Sequence, residues 1–135
     1  PVHLPVVPVL LEKLPRLRMV IDHIAKPSIA TGEFDDWARG MEAVCKAPML
    51  YCKLSGMITE AAWNNWSAAD LRPYVDFVLQ GFGAERSMFG SDWPVCTLAG
   101  TWKEVLAACT QAMGPQPMET RERILGGTAT EFYRL

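Results

Sequence analysis

Several features are missing from this sequence, and each absence narrows what the protein can be. No apolar stretch approaches the roughly 20 residues of a membrane-spanning helix. No run of basic residues stands out and the formal net charge is -2, so neither nucleic acid nor an anionic membrane is expected as a partner. No G-x-S-x-G segment is present that would mark a serine nucleophile.

Cysteine is present but is not arranged for metal binding. The four cysteines form no C-x-x-C pair, and no cysteine–histidine cluster supports a zinc ribbon. Cys45 and Cys109 fall at apolar positions of helical patterns and Cys52 falls in a strand-like run, so we expect buried free thiols. Free thiols are typical of a reducing compartment, which predicts a cytoplasmic protein.

The length of 135 residues suits one modest domain with one hydrophobic core, and half of the residues are apolar. The first residue is proline, and the opening stretch has neither a positively charged region nor a cleavage site, which argues against a signal peptide. We expect residues 1–135 to form a single domain, and the start suggests that either an upstream portion is missing or the chain is an unusual short product.

Strand-like and helix-like patterns alternate along the chain. Short apolar runs predict strands at residues 17–23, 49–55 and 87–92. Apolar residues spaced by three and four predict helices between them, and the helix after the third strand has Trp102 on its apolar face. A last helix is expected from Thr120, with an interruption at Gly126 and Gly127. This alternation predicts an α/β fold with a parallel sheet, although three strands alone cannot close a barrel.

Polar residues close each predicted strand. His23 ends the first, Lys53 and Ser55 end the second, and Asp92 ends the third. In parallel α/β folds the carboxyl ends of the strands form the ligand site, so these side chains are expected to meet at one edge of the sheet.

The pattern leaves several roles open. Strand alternation puts His23 on the face of Ile21 and turns Asp22 the other way, toward a structural salt bridge or cap. Asp92 is explained equally well as a turn or N-cap residue and as a catalytic carboxylate. Lys53 fits a solvated side chain as well as a pocket residue.

The chemistry that these groups suit is hydrolysis. A carboxylate on a pocket floor can take a proton from water, and a nearby imidazole can polarise a carbonyl, orient water or hold a divalent metal. A lysine can bind a negative group or stabilise an oxyanion. Trp63, in a long polar loop, either lines a substrate pocket or packs that loop onto its own domain.

Three segments resemble those of a known family. They read VIDHIAKP at 20–27, YCKLSG at 51–56 and MFGSDWPV at 88–95, and they resemble the last three strand motifs of amidohydrolase-related proteins, in particular the sugar-lactonase branch. The resemblance implies that the chain is the C-terminal part of a (β/α)8 TIM barrel, about strands six to eight, with residues 1–16 as the helix before the sixth. It implies a hydrolase that opens a lactone, with a small cyclic ester of a sugar acid or related carboxylate as substrate.

The resemblance also assigns roles to single residues. Asp92 would be the general base that activates water, and His23 would contact substrate or water. No cofactor is required by the pattern; if a divalent metal such as zinc is bound, His23 and Asp92 would be its ligands. Four further residues are expected to bind substrate: Lys53, Ser55, Trp63 and Trp93.

One departure from the family limits the expected activity. The first-strand H-x-H motif and the strands that follow it are absent, so the 135-residue chain alone is predicted to be inactive or very weak. One alternative is a zinc-dependent decarboxylase or deaminase of the same superfamily. The other is a truncated, non-catalytic product that binds a partner or misfolds, because missing strands would expose apolar surface and an open strand edge.

Overall fold

A parallel three-stranded sheet organises the computed structural model, which describes residues 3–135. The strands are β1 (Met19–Ile21), β2 (Leu50–Leu54) and β3 (Ser87–Phe89), and their order in the sheet is β1-β2-β3. The predicted parallel α/β arrangement is confirmed. Each strand is shorter than predicted: His23, Ser55 and Asp92 lie just beyond the ends of the strands, whereas Lys53 lies within β2.

Helices connect and cover the strands. Their bounds are α1 Val7–Lys13, α2 Asp35–Cys45, α3 Met57–Glu60, α4 Ala68–Phe82, α5 Trp102–Ala112, α6 Met118–Glu122 and α7 Thr128–Tyr133. A 3-10 turn, Leu4–Val6, precedes α1. Helical structure therefore lies within residues 1–16, where a helix was expected. Pro1 and Val2 lie outside the described residues. None of the described helices is long and apolar enough to cross a membrane.

Two details of the predicted helices are wrong. Trp102 is the first residue of α5 and is 48% exposed instead of packing on the core. The Gly126–Gly127 pair does not interrupt the last helix. A π-helical turn, Arg123–Gly127, joins α6 to α7 and absorbs both glycines without breaking the helical path.

The two faces of β2 have different environments. Leu50, Cys52 and Leu54 are fully buried against the core side chains of α2 and α4, among which are Met41 and Val75. Each such aliphatic side chain stabilises the fold by about 1.5–3 kcal/mol relative to an exposed position. This face therefore anchors the sheet on its helices.

The opposite face of β2 carries Tyr51 and Lys53, which alternation turns away from the helical core. The Tyr51 ring lies 4.8 Å from the ring of Phe132, and the Lys53 ammonium lies 5.6 Å from the ring centre of Tyr133. The C-terminal helix α7 thus covers part of the sheet face that α2 and α4 leave open.

Arg86 fastens the loops at the amino-terminal ends of the strands. Its guanidinium donates to four backbone carbonyls, those of Cys45 (2.7 Å), Ala47 (2.9 Å), Leu50 (3.1 Å) and Gly81 (3.2 Å). One always-charged, planar group therefore holds together the α2–β2 loop, the start of β2 and the end of α4.

Candidate active site

The chain leaves β1 in an unusual backbone conformation. His23, Ile24, Ala25 and Lys26 have φ values of 51°, 44°, 59° and 53°, in the left-handed region that costs non-glycine residues energy. Two contacts hold this turn: the Trp37 Nε1–H donates to the carbonyl oxygen of Ile24 at 2.6 Å, and Lys26 forms an ion pair with Glu60.

This turn overturns one expectation about His23. Ile21 is buried in the core beneath the sheet, and its strand neighbour in the register is Cys52 on the same face. β1 ends at Ile21, and the left-handed turn redirects the following side chains, so the imidazole does not share the face of Ile21. It meets Ser55 instead. Strand alternation fails here because it holds only while the backbone stays extended.

Three of the predicted site residues converge at the carboxyl ends of the strands. His23 follows β1, Ser55 follows β2 and Asp92 lies just beyond β3. The His23 Nδ1 lies 2.9 Å from the Ser55 Oγ, and the His23 Nε2 lies 3.7 Å from the Asp92 Oδ1. The imidazole is thus bonded to a buried hydroxyl on one side and faces a carboxylate on the other.

Lys53 takes a different position from these three residues. Its Nζ forms a salt bridge with the Asp22 Oδ1 at 2.8 Å, so Asp22 has the salt-bridging role expected for it. Partial burial acts to lower the pKa of Lys53, but the hydrogen bonds and charges of Asp22 and Tyr133 outweigh burial and raise this pKa above its ordinary value. The ammonium is therefore stabilised in its charged form by partners within the chain.

The tryptophans predicted to contact substrate are exposed. Trp93 is 69% exposed, and Trp63 is 49% exposed with its Nε1–H donating to the Thr59 carbonyl in its own loop. Trp66, by contrast, fastens this loop to the domain by donating to the Ala99 carbonyl oxygen at 2.8 Å. Substrate contact by Trp63 and Trp93 stays a prediction.

A mainly apolar cavity of about 650 Å³ opens beside β1. It is lined by the 3-10 turn and α1, through Leu4 and Val7, and by all three residues of β1, with Asp22 and His23 at one end. β1 is the outer strand of the sheet among residues 3–135, so the cavity follows its free edge.

Two glycines, one close to His23 and one close to Ser55, were not predicted as site residues from the sequence. A Cβ on Gly56 would lie 2.9 Å from the His23 ring, and a Cβ on Gly90 would lie 3.1 Å from the Cβ of Ser55. Both glycines stand directly beside predicted site residues in the motifs at 51–56 and 88–95. Their position next to polar strand-end residues was the signal that could have found them, since glycine permits close backbone approach.

The family model described as amidohydrolase matches residues 2–135. This chain belongs to the amidohydrolase family. It is 42% identical over 142 aligned residues to an L-fucono-1,5-lactonase of Burkholderia ambifaria, with all of this chain and 48% of that protein covered. An L-fucono-1,5-lactonase of Burkholderia multivorans is 39% identical, covering 87% of this chain and 43% of that protein.

A solved structure agrees with the sequence relatives. A crystal structure of an amidohydrolase from Burkholderia multivorans with bound zinc superposes on this amidohydrolase chain with a TM-score of 0.86 and 36% identity, covering 98% of this chain and 49% of that one. The chain therefore spans about half the length of the relatives that it matches.

The zinc in that relative raises the question of which residues here suit a metal. His23 and Asp92 offer an imidazole nitrogen and a carboxylate oxygen, the donor types that zinc takes in catalytic sites. Among residues 3–135 no group of three or more histidine, cysteine, aspartate or glutamate side chains is placed to hold an ion. This amidohydrolase chain thus offers two donors of the three that a catalytic zinc site ordinarily draws from protein.

Proposed function

We propose that residues 1–135 are the C-terminal part, about strands six to eight with their helices, of a (β/α)8 TIM barrel that hydrolyses a lactone. The substrate would be a cyclic ester of a sugar acid or related carboxylate. Family membership and relatives named L-fucono-1,5-lactonase support this reaction class. The observation that carries the proposal is the approach of the His23 Nε2 to the Asp92 Oδ1, 3.7 Å apart, at the edge of the sheet where parallel folds bind ligands.

In the proposed reaction Asp92 acts as the general base. It takes a proton from water as the water oxygen bonds to the lactone carbonyl carbon, and His23 orients the water or donates to the carbonyl oxygen as negative charge develops there. The bond from the carbonyl carbon to the ring oxygen then breaks, and the ring oxygen leaves as a hydroxyl with the proton that Asp92 took up. The product is an open-chain hydroxy acid.

A divalent metal such as zinc is compatible with this arrangement but is not required by it. His23 and Asp92 are the residues that would hold it, with further ligands from outside residues 3–135. When bound, such an ion would polarise the carbonyl and make water more acidic. Lys53, Trp63 and Trp93 remain the residues proposed to contact substrate from this chain.

The open edge of β1 supports the proposed place of the chain in a barrel. β1 pairs with β2 on one side, and the apolar cavity follows its other side among the described residues. A preceding strand of the barrel would pair along this edge and fill the cavity. The incomplete barrel is the reason for the further proposal that the 135-residue chain alone is inactive.

The proposed function is tested in a chimera that supplies the strands proposed to complete the barrel. A chimera joins this chain to the part of the Burkholderia ambifaria lactonase that it does not cover, and ring opening of L-fucono-1,5-lactone is followed by the acid released. Asp92→Asn should lower kcat/KM by about 100-fold or more, in the range of general-base catalysis. Asp76→Asn, a matched change on an exposed face of α4, should leave the rate within about twofold.

Two outcomes would count against the proposal. A folded chimera without lactonase activity would refute the lactone substrate, and activity that appears only with added metal and on a carboxylated substrate would favour the decarboxylase alternative. Hydrolysis by the isolated 135-residue chain, abolished by Asp92→Asn, would refute the proposal that this half is inactive alone.

A further inference from the structure

We infer that Ser55 is a positioning residue, whose hydroxyl acts together with the Asp92 carboxylate to lock the neutral imidazole of His23 in the tautomer that carries its proton on Nε2, directed at Asp92. The importance of this lock for turnover rests on the proposed hydrolysis. The lock itself is a property of the folded chain and depends only on the contacts of His23 within it.

Ser55 is placed to act on His23 and not on a ligand. The residue is 1% exposed, and its Oγ lies 2.9 Å from the His23 Nδ1. A hydroxyl buried to this degree needs a hydrogen-bond partner within the protein, and the imidazole nitrogen is that partner. Ser55 therefore differs from the exposed or half-exposed residues that a substrate could reach, and positioning His23 replaces the predicted substrate contact in this proposal.

The tautomer follows from the two neighbours of the ring. An ionised carboxylate only accepts hydrogen bonds, so the nitrogen that faces Asp92 is favoured when it carries a proton and disfavoured when it presents a lone pair. The His23 Nε2 faces the Asp92 Oδ1 at 3.7 Å. Nδ1 is then the lone-pair nitrogen, and the Ser55 hydroxyl, which can donate or accept, donates to it.

Two backbone contacts stop the pair from turning away. A Cβ on Gly56, which has a φ of +62°, would lie 2.9 Å from the Cβ, Cγ and Nδ1 of His23. A Cβ on Gly90 would lie 3.1 Å from the Cβ of Ser55. The backbone just beyond β2 at Gly56 thus lies against the imidazole, and the backbone just beyond β3 at Gly90 lies against the serine that bonds to it, which leaves the ring little freedom on that side.

The experiment reads the imidazole directly. Long-range proton–nitrogen NMR spectra of the ¹⁵N-labelled 135-residue chain distinguish protonated from lone-pair ring nitrogens. The chain has two histidines, and His3→Gln leaves His23 alone. Spectra are taken at about pH 8, above the ordinary imidazole pKa, with a chelator so that no metal occupies Nε2. The expected result is a lone-pair Nδ1 and a protonated Nε2.

Variants then test the cause. Ser55→Ala should shift both ring nitrogens toward the values of a tautomer mixture, and so should Asp92→Asn, which removes the accepting carboxylate without opening a buried position. The matched control is Ser87→Ala, because Ser87 is also a fully buried serine of this sheet and its Oγ has no partner among the described residues. This control should leave the His23 signals unchanged.

The inference is overturned by a wild-type spectrum with the proton on Nδ1, or by a Ser55→Ala spectrum like that of the wild type. If Ser55→Ala does not fold, the wild-type and Asp92→Asn spectra still decide the tautomer. In the lactonase chimera Ser55→Ala should lower kcat by about 10- to 100-fold with KM little changed, as for other residues that orient a reacting group. A chimera that lacks activity would refute the proposed function and leave the spectra as the test of the lock.

Discussion

Replacing Trp37 by phenylalanine should loosen the turn that carries His23. Trp37 is 2% exposed, and its Nε1–H donates to the carbonyl oxygen of Ile24 over 2.6 Å. Ile24 is fully buried and has a φ of 44°, so its carbonyl has few other ways to find a donor. Phenylalanine keeps an aromatic ring among those of Phe34 and Tyr74 but has no N–H to offer.

The magnitude combines two costs. A buried carbonyl left without its hydrogen bond costs about 1–3 kcal/mol. The smaller phenylalanine ring also leaves a cavity. The cost of this cavity is a minor part of the roughly 3–5 kcal/mol that a full tryptophan-to-alanine truncation costs. Trp37→Phe should therefore lower the free energy of unfolding by about 2–4 kcal/mol.

The measurement is urea unfolding of the 135-residue chain followed by far-ultraviolet circular dichroism. Trp102→Phe is the matched control, since Trp102 is 48% exposed, and it should change the free energy of unfolding by less than about 0.5 kcal/mol. The His23 imidazole signals should move in Trp37→Phe and stay in the control. Equal losses in the two variants would refute the argument that the buried indole donor holds this turn.

Three further predictions concern other parts of the fold. Arg86→Ala should lower the free energy of unfolding, measured by urea titration, by about 3–5 kcal/mol, because four backbone carbonyls lose a charged donor. The control Arg39→Ala, on the exposed face of α2, should lower it by less than about 0.5 kcal/mol. The pKa of Lys53 is raised, so the stability from its pairing with Asp22 is fully present below the ordinary pKa of lysine and is lost as the pH rises through the raised value. Asp22→Asn removes the paired carboxylate and should reduce this loss of stability at alkaline pH. Thermal melts across that pH range measure the difference. All four cysteines are buried, and burial raises the pKa of Cys109 to about 12. A thiol reagent such as Ellman's reagent should therefore react with no cysteine in the native chain and with four cysteines in urea. Fast labelling of the native chain would contradict the burial of these thiols.

The alternation of patterns was sufficient to predict the sheet. The three apolar runs lie in parallel strands in the expected order, and the stripes of α2 and α4 face the core. Such patterns are reliable because burial of one face requires a period of two in strands and 3.6 in helices. The pattern was less informative where a residue lies at the end of an element, as with Trp102, since periodicity does not say which turns of a helix its partners cover.

The sequence predicted which residues lie together at the sheet edge better than it predicted the contacts among them. Motif position brought His23, Ser55 and Asp92 together correctly, because parallel strands end at one edge. The contacts among them depended on a left-handed turn at His23 and on glycines that allow close approach, and neither follows from side-chain polarity. Lys53 pairs with Asp22 and lies close to the Tyr133 ring, a geometry that side-chain polarity does not predict, and its contact with substrate stays a prediction.

The sequence by itself determined the class of fold, the edge at which the polar residues gather and the family to which the chain belongs, since all three are written in local motifs and their spacing. Only the tertiary structure decided which polar residue meets which. Hydrogen-bond partners lie more than thirty residues apart, as with His23 and Ser55, and their meeting depends on where each strand stops and how the backbone turns there. Likewise, the sequence left the role of His23 open, and the tertiary structure is what places the buried hydroxyl of Ser55 beside its ring.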